Sequence, residues 1–220
     1  MAFSLWKIKV VFLEDPRLLL YYITDRKQFS GDEASRRRTL LAKIAEAARC
    51  GVDFIQLREK ELSVRELEDF AREAMRVVRE AGSQTRLLIN SRTDVVIASR
   101  ADGVHLRSDD VSPAEVRAMQ PDAVVGVSCH DLQEVKRAAS DRATFAVFAP
   151  VFEKQGVRAA SLEALAEVCR EKIPVLALGG VTLENAAPCM QAGAAGVAGI
   201  RLFQRDNLCE TVAELRKLSW

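Results

Sequence analysis

The sequence predicts a single (β/α)8 TIM barrel, an α/β fold in which eight parallel strands close on themselves and a helix follows each strand. Three observations lead to this class. The 220-residue chain has the length of one such barrel, and its apolar fraction of 49% can fill a sizeable core. Eight short apolar runs also alternate with stretches of helical period. We therefore expect an N-terminal extension over residues 1–17 and the barrel over residues 18–220.

The predicted strands are apolar runs bounded by turn residues. In chain order they are residues 18–25 (LLLYYITD), 53–59 (DFIQLRE), 86–91 (RLLINS), 103–106 (GVHL), 124–129 (VVGVSC), 145–150 (FAVFAP), 174–180 (PVLALGG) and 196–203 (GVAGIRLF). They show little alternation, which is typical of strands buried on both faces of a parallel sheet. Strands that alternate strictly with helices form parallel sheets with right-handed crossovers. A doubly wound open sheet is the structural alternative.

Helices are expected between these strands because polar residues interrupt an apolar stripe of helical period. The predicted ranges are 35–50, 63–81, 92–99, 112–119, 132–139, 161–171, 183–191 and 206–218. Ser63, Ser112 and Thr182 are of types that cap helix N-termini, and we expect each to do so. Gly51 and Gly82 follow predicted helices at positions that favour a left-handed residue.

Charge and cysteine content restrict the function. The chain has 32 lysines and arginines against 31 acidic residues, so no overall field would hold it on nucleic acid or on a membrane. The expected partner is a small phosphorylated substrate. The five cysteines include no CxxC pair, which argues against a zinc site or redox couple and favours a cytoplasmic location. We expect them to pack rather than react.

Barrels of this class carry their active sites at the C-terminal ends of the strands. The polar residues that the predicted strands place there include Gln56, Arg58, Lys60, Asn90, Asp110, Ser128, His130 and Glu153. Basic groups in this position can clamp a phosphate or diphosphate. The alternative for residues 58–60 is a solvated, salt-bridged loop.

Glycines at the seventh strand predict a phosphate site. Gly179 and Gly180 would let backbone N–H groups approach an anion, together with the strand-eight turn of Gly199, Ile200 and Arg201. The competing interpretation is a tight turn with no ligand.

Two histidines and an acidic pair have contrasting expectations. His130 could transfer protons near neutral pH, whereas His105 lies within a predicted strand and is expected to be packed. Asp109 and Asp110 could ligate Mg2+ or could simply form the acidic first turn of a helix.

The motifs YYITD, GVDFIQLREK, LLINSRTD, ADGVHLRSDD, VGVSCH, FAPVF, IPVLALGG and AGAAGVAG occur in this order and spacing. Together they resemble the barrel family that contains thiamine-phosphate synthase and its sister, the thiazole tautomerase. The resemblance runs from about Tyr21 to Phe203. It implies a thiamine biosynthesis enzyme that binds thiazole phosphate carboxylate, and it is compatible with a homodimer.

The synthase activity, as the resemblance implies, couples aminopyrimidine methyl diphosphate to thiazole phosphate and uses Mg2+ to assist the loss of diphosphate. Asp110 matches a Mg2+ ligand. The positions that match pyrimidine and diphosphate contacts are Gln56, Arg58, Lys60, Asn90 and Ser128. The tautomerase activity is a proton shift on the thiazole and needs no cofactor.

Four departures from the synthase pattern favour the tautomerase. Ser91 replaces a metal-binding Asp, and Arg201 replaces a serine of the strand-eight motif. The loop over residues 151–156 lacks the threonines that hold the thiazole, and residues 107–108 read Arg-Ser instead of Gly-Gln.

The expected mechanism has the two glycine turns and Arg201 holding phosphate, with Arg58 and Lys60 facing the carboxylate. His130 and Lys60 are the predicted catalytic residues, and Glu153 is expected to contact substrate. The synthase itself is one alternative, and a non-catalytic barrel that binds phosphate ligands is another.

Overall fold

The structure, a computed structural model, describes residues 17–153 and 160–218. Its parallel strands form a closed barrel in which each strand pairs with the next and the last pairs with the first. The strands are β1 (Leu19–Ile23), β2 (Phe54–Leu57), β3 (Arg86–Asn90), β4 (Gly103–Leu106), β5 (Val124–Cys129), β6 (Phe145–Phe148), β7 (Val175–Ala177) and β8 (Gly196–Gly199). The single barrel is therefore confirmed, and the open sheet is excluded. The expected N-terminal extension, apart from Arg17, lies outside the described residues.

The helices alternate with the strands as expected. They are α1 (Glu33–Arg49), α2 (Val64–Glu80), α3 (Thr93–Ser99), α4 (Pro113–Met119), α5 (Leu132–Ser140), α6 (Leu162–Val168), α7 (Ala186–Gln191) and α8 (Leu208–Arg216), and a short 3-10 turn covers Arg26–Gln28. None of the helices in the described ranges has the length and apolar character needed to cross a bilayer.

Helix ends test the capping predictions. Ser63 and Ser112 both form capping boxes with a glutamate three residues later, so these two predictions are confirmed. The prediction for Thr182 is wrong because α7 begins only at Ala186. The Thr182 N–H instead donates to Asn185 Oδ1 across 2.7 Å, which folds this segment into a turn before the helix.

Two apolar cores hold the barrel. The outer core packs the helices against the outward-facing strand residues. The inner core fills the barrel and includes the rings of Tyr21, Phe54 and Phe145, which pack edge-on or tilted at centroid distances of 4.9 to 6.0 Å. Strand side chains alternate between the inside and the outside of the barrel with period two. Polar residues two positions after the inner-core residues therefore also point inward, at the C-terminal end of the barrel.

A disulfide joins Cys50 to Cys209, contrary to the expectation that the cysteines only pack. The two residues are 159 positions apart, so their spacing gave no signal of a pair. They meet because Cys50 caps the C-terminus of α1 while Cys209 lies in the first turn of α8, and the two helices are neighbours in the ring. Cys129 and Cys189 are free and buried, as expected.

Candidate active site

The inner face of the barrel carries a polar layer above its aromatic core. Gln56, Asn90 and Ser128 come from β2, β3 and β5, and Asn90 is in register with His105 of β4. Gln56 is only 1% exposed, yet its Nε2 has no hydrogen-bond partner in the described part of the chain. A buried amide donor without a partner is unfavourable, so Gln56 is well suited to donate to a bound ligand.

The three charged residues after β2 differ in burial and in partners. Arg58 is half-buried, Lys60 is exposed, and neither side chain forms an ion pair within residues 17–153 and 160–218. Glu59, by contrast, is buried and accepts hydrogen bonds from Thr24 Oγ1 at 2.6 Å and from Arg26 Nη1 at 2.7 Å. Glu59 is thus salt-bridged but buried, which differs from the solvated loop of the alternative, and the two cations are left available for an anion.

The buried Arg26 is a residue that the sequence interpretation missed. Its guanidinium also donates to Glu33 at 2.5 Å and to Glu61 at 3.2 Å. Thr24 Oγ1 accepts from the N–H of Arg58 at 3.0 Å, so this network fixes the backbone that carries the two free cations. No local pattern distinguishes Arg26 from a solvated loop arginine, because its main partner lies 33 residues away.

Oxygen ligands meet where β3 and β4 end. Ser91 Oγ donates to Asp110 Oδ2 across 2.7 Å, and Arg107 N–H donates to the same oxygen across 2.8 Å. Burial raises the pKa of Asp110, but these two hydrogen bonds, together with the hydrogen bond and positive charge of the Arg107 guanidinium, outweigh burial and hold the pKa below its usual value. Asp110 is therefore ionised at neutral pH.

This corner fits a magnesium ion. Mg2+ is commonly held by one or two carboxylates together with phosphate oxygens and water, and a serine hydroxyl is its ligand in some nucleotide-binding loops. Asp110 and Ser91 supply one oxygen of each kind. Arg107 pairs with both members of the acidic pair, through Nε to Asp109 at 3.3 Å and through Nη2 to Asp110 Oδ1 at 3.2 Å. Asp109 is exposed, whereas Asp110 contacts Ser91 through its other oxygen, Oδ2, so Asp110 is the carboxylate of the pair that would hold the metal.

His130 follows β5 at the rim. Its Nδ1 lies 2.8 Å from the carbonyl oxygen of Ala149, and because a carbonyl only accepts, Nδ1 carries the proton. In the neutral ring Nε2 is then the basic nitrogen. This is the arrangement that a proton-transferring histidine needs.

The glycine turn after β7 lies beside the loop after β6. Gly179 and Gly180 have φ values of +96° and +67°, and a Cβ on Gly179 would lie 2.7 Å from Pro150 Cα. Gly179 therefore lies against Pro150, and the residue before that proline, Ala149, accepts the hydrogen bond from His130. The predicted phosphate turn and this histidine are thus on the same rim of the barrel. Glu153 is exposed on the same loop, and Lys154 lies outside the described residues.

The strand-eight turn places its basic residue in solvent. Gly199 ends β8, and Ile200 O accepts from the N–H groups of Phe203 and Gln204, both at 3.1 Å. Arg201 is exposed and has no ion-pair partner among the described residues. The predicted role of Arg201 in phosphate binding stays a prediction.

Comparisons with known proteins identify the family of the chain. The family model described as thiamine monophosphate synthase matches residues 20–203. A thiamine-phosphate synthase of Roseiflexus sp. (strain RS-1) is 36% identical over 83% of this chain and 76% of its own length. A thiamine-phosphate synthase of Syntrophomonas wolfei subsp. wolfei is 35% identical over 90% of this chain and 93% of its own.

Among solved structures, a thiamine phosphate pyrophosphorylase from Pyrococcus furiosus superposes with a TM-score of 0.78. That structure is 28% identical in sequence, and the alignment covers 92% of this chain and 96% of the other. The family match spans all eight strands except the first residue of β1. The chain belongs to the thiamine monophosphate synthase family.

Proposed function

We propose that the protein is a thiamine-phosphate synthase, which joins aminopyrimidine methyl diphosphate to thiazole phosphate and releases diphosphate. The observation that carries the proposal is the Ser91 Oγ to Asp110 Oδ2 contact of 2.7 Å at the ends of β3 and β4. The sequence favoured the tautomerase on four departures from the synthase pattern, one of which is that Ser91 is not a carboxylate. The relatives described above are named as synthases, and a hydroxyl beside an ionised carboxylate still provides two oxygen ligands.

In the proposed reaction the bond between the pyrimidine methylene carbon and the diphosphate oxygen breaks, and the thiazole nitrogen bonds to that carbon. The departing diphosphate gains negative charge. Arg58 and Lys60, which lack carboxylate partners among the described residues, would stabilise that charge. Bound Mg2+ would neutralise part of the same charge.

The remaining residues would hold the two substrates. The unpaired Gln56 Nε2 is a donor for the pyrimidine or its diphosphate, and Asn90 and Ser128 line the same inner face. The Gly179 and Gly180 turn would receive the phosphate of the thiazole through its backbone N–H groups. Holding both reactants at one rim lowers the entropic cost of their encounter.

One incubation tests the proposal. The protein, both substrates and Mg2+ should yield diphosphate and thiamine phosphate in equal amounts, measured by a coupled diphosphate assay and mass spectrometry. The Asp110→Asn variant should release diphosphate about 10²-fold more slowly or worse, because it removes the ionised oxygen ligand. Absence of diphosphate release from the wild-type protein would refute the synthase function.

The tautomerase is a second candidate because His130 presents Nε2 as its basic nitrogen. A tautomerase would isomerise thiazole phosphate carboxylate without the pyrimidine substrate and without Mg2+. The His130→Gln variant should then lose about 10²- to 10⁴-fold in turnover. If the synthase proposal is correct, the same variant should keep Mg2+-dependent diphosphate release within about tenfold of wild type.

A further inference from the structure

Three polar side chains form a connected line through the barrel interior. Tyr21 Oη lies 3.1 Å from His105 Nδ1, and His105 Nε2 lies 2.8 Å from Ser128 Oγ. Tyr21 is 0% exposed and His105 is 3% exposed, while Ser128 is half-buried at the top of β5. The line therefore starts in the sealed core and ends at the polar layer of the candidate site.

The direction of these hydrogen bonds follows from the burial of Tyr21. Among the described residues, His105 Nδ1 is the one hydrogen-bond partner of its hydroxyl. If His105 Nδ1 carried a proton, the Tyr21 hydroxyl would accept it and its own proton would be buried without an acceptor. Leaving a buried donor unsatisfied costs about 1–3 kcal/mol, so Tyr21 donates to Nδ1.

The direction of the Tyr21 hydrogen bond determines which nitrogen of the His105 imidazole carries the proton. His105 is 3% exposed, and its two ring nitrogens contact the hydroxyls of Tyr21 and Ser128 rather than a carboxylate. A buried imidazolium without a charged partner is unfavourable, so the ring is neutral, and with Nδ1 accepting, the proton must reside on Nε2. His105 Nε2 donates to Ser128 Oγ, which leaves the Ser128 proton free to donate elsewhere.

Packing holds the imidazole in this orientation. The His105 ring lies 5.6 Å from the Tyr21 ring between centroids. A Cβ on Gly126 would lie 2.9 Å from His105 Nδ1 and 2.7 Å from the Phe145 ring, so the glycine provides the space that the imidazole occupies. A side chain confined in this way keeps its rotamer and loses little entropy when a ligand binds.

We propose that Tyr21 and His105 are positioning residues that orient the Ser128 hydroxyl as a hydrogen-bond donor to an anionic oxygen of the bound diphosphate. The identity of the anion rests on the proposed function, whereas the orientation of the line does not. Because each bond polarises the next, a hydroxyl that accepts from His105 is a stronger donor to an anion than an isolated serine would be.

The free protein provides the first test. Proton–nitrogen correlation spectra of nitrogen-15-labelled protein distinguish the two imidazole tautomers, and the His130→Asn variant assigns the signals because the chain has two histidines. We expect protonated Nε2 and bare Nδ1 for His105 near neutral pH, because the buried Tyr21 hydroxyl donates to Nδ1. A protonated Nδ1 would overturn the proposal whether or not the protein is a synthase.

Two matched variants provide the second test. Tyr21→Phe removes the hydroxyl that starts the line, and Tyr22→Phe removes an equally buried hydroxyl that has no hydrogen-bond partner in the described structure. Calorimetry with inorganic diphosphate and Mg2+ should show binding about three- to tenfold weaker for Tyr21→Phe and unchanged for Tyr22→Phe. Equal effects of the two variants would contradict a positioning role.

The double variant separates positioning from general stabilisation. If Tyr21 acts through Ser128, then Tyr21→Phe combined with Ser128→Ala should bind diphosphate as Ser128→Ala alone does. Independent losses that add would show that Tyr21 contributes by another route and would refute the proposal. Failure of wild-type protein to bind diphosphate would count against the synthase function, and the tautomer of His105 would still decide whether the line is oriented as described.

Discussion

Arg26 Nη1 donates to Glu59 Oε2 across 2.7 Å, and the two side chains are 6% and 1% exposed. Thr24 Oγ1 donates to the other oxygen of the same carboxylate across 2.6 Å. The pair therefore links the loop after β1 to the loop after β2. Arg58 and Lys60 flank Glu59 in sequence, so their positions at the rim depend on this buried contact.

Replacing Glu59 with Gln should destabilise the protein by about 2–4 kcal/mol, because the guanidinium of Arg26 would keep its burial and lose its main partner. The free energy of unfolding, measured in urea, gives the effect. Glu80→Gln is the matched control, since Glu80 pairs with Arg76 in solvent, where both side chains are more than half exposed, and exposed pairs contribute little. Similar losses of unfolding free energy in Glu59→Gln and Glu80→Gln would contradict a larger contribution from the buried pair.

The sequence predicted those features of the fold that leave a local pattern. Eight apolar runs predicted the barrel because strands buried on both faces leave a local signature. Two of the strands, Gly103–Leu106 and Val124–Cys129, have the predicted bounds to the residue. A second rule, that the C-terminal ends of parallel strands meet at one edge of a barrel, predicted that Gln56, Asn90 and Ser128 lie at one rim.

Contacts between distant residues were not predictable in this way. Arg26 and Glu59 are both charged residues after strands, and nothing local shows that they bury each other. Cys50 and Cys209 are separated by 159 positions. Thr182 has the right chemistry for a helix cap, but Asn185 competes for the same turn, and single-residue propensity does not decide between two such candidates.

The pH dependence of stability should reveal the buried His105. Its pKa is about 3 in the folded protein and about 6.5 when unfolded, so the unfolded state binds more protons between these values. Stability from this group is complete above about pH 6.5 and is lost as the pH falls toward 3. Between about pH 7.5 and about pH 5, wild type should lose about 2 kcal/mol more than His105→Gln. Parallel pH profiles in urea denaturation would contradict a buried neutral imidazole.

Restoring a carboxylate at position 91 should strengthen metal binding. Ser91 has φ +57°, a conformation that Asp and Asn adopt more readily than most residues, and its Oγ lies 2.7 Å from Asp110. Ser91→Asp should lower the Mg2+ concentration for half-maximal diphosphate release by about tenfold, because a second carboxylate joins the oxygen ligands.

Ser91→Asn is the control for this change. It has the same backbone preference and nearly the same shape as Asp, but it lacks the charge. If the two variants require the same Mg2+ concentration, the carboxylate is not near the metal, and the assignment of this corner as a magnesium site would fail.

Replacing Gly180 and Gly82 with alanine distinguishes two effects of the change, the steric clash of the added methyl group and the strain of the backbone. Gly180 and Gly82 have nearly equal φ values of +67° and +65°, but a Cβ on Gly180 would lie 2.9 Å from Phe152 Cβ, whereas a Cβ on Gly82 would meet nothing within 4 Å. Both Gly→Ala changes should therefore cost about 1–2 kcal/mol of backbone strain. Only Gly180→Ala should also displace the loop after β6.

If this turn binds the phosphate of the thiazole substrate, Gly180→Ala should raise the KM for that substrate by about tenfold or more, while Gly82→Ala leaves it unchanged. Urea denaturation of both variants verifies that their losses of stability are comparable. An unchanged KM in Gly180→Ala would mean that the added methyl group, and any shift of Phe152 that it causes, lies away from the phosphate. The anion would then have to be held by the strand-eight turn and Arg201 alone.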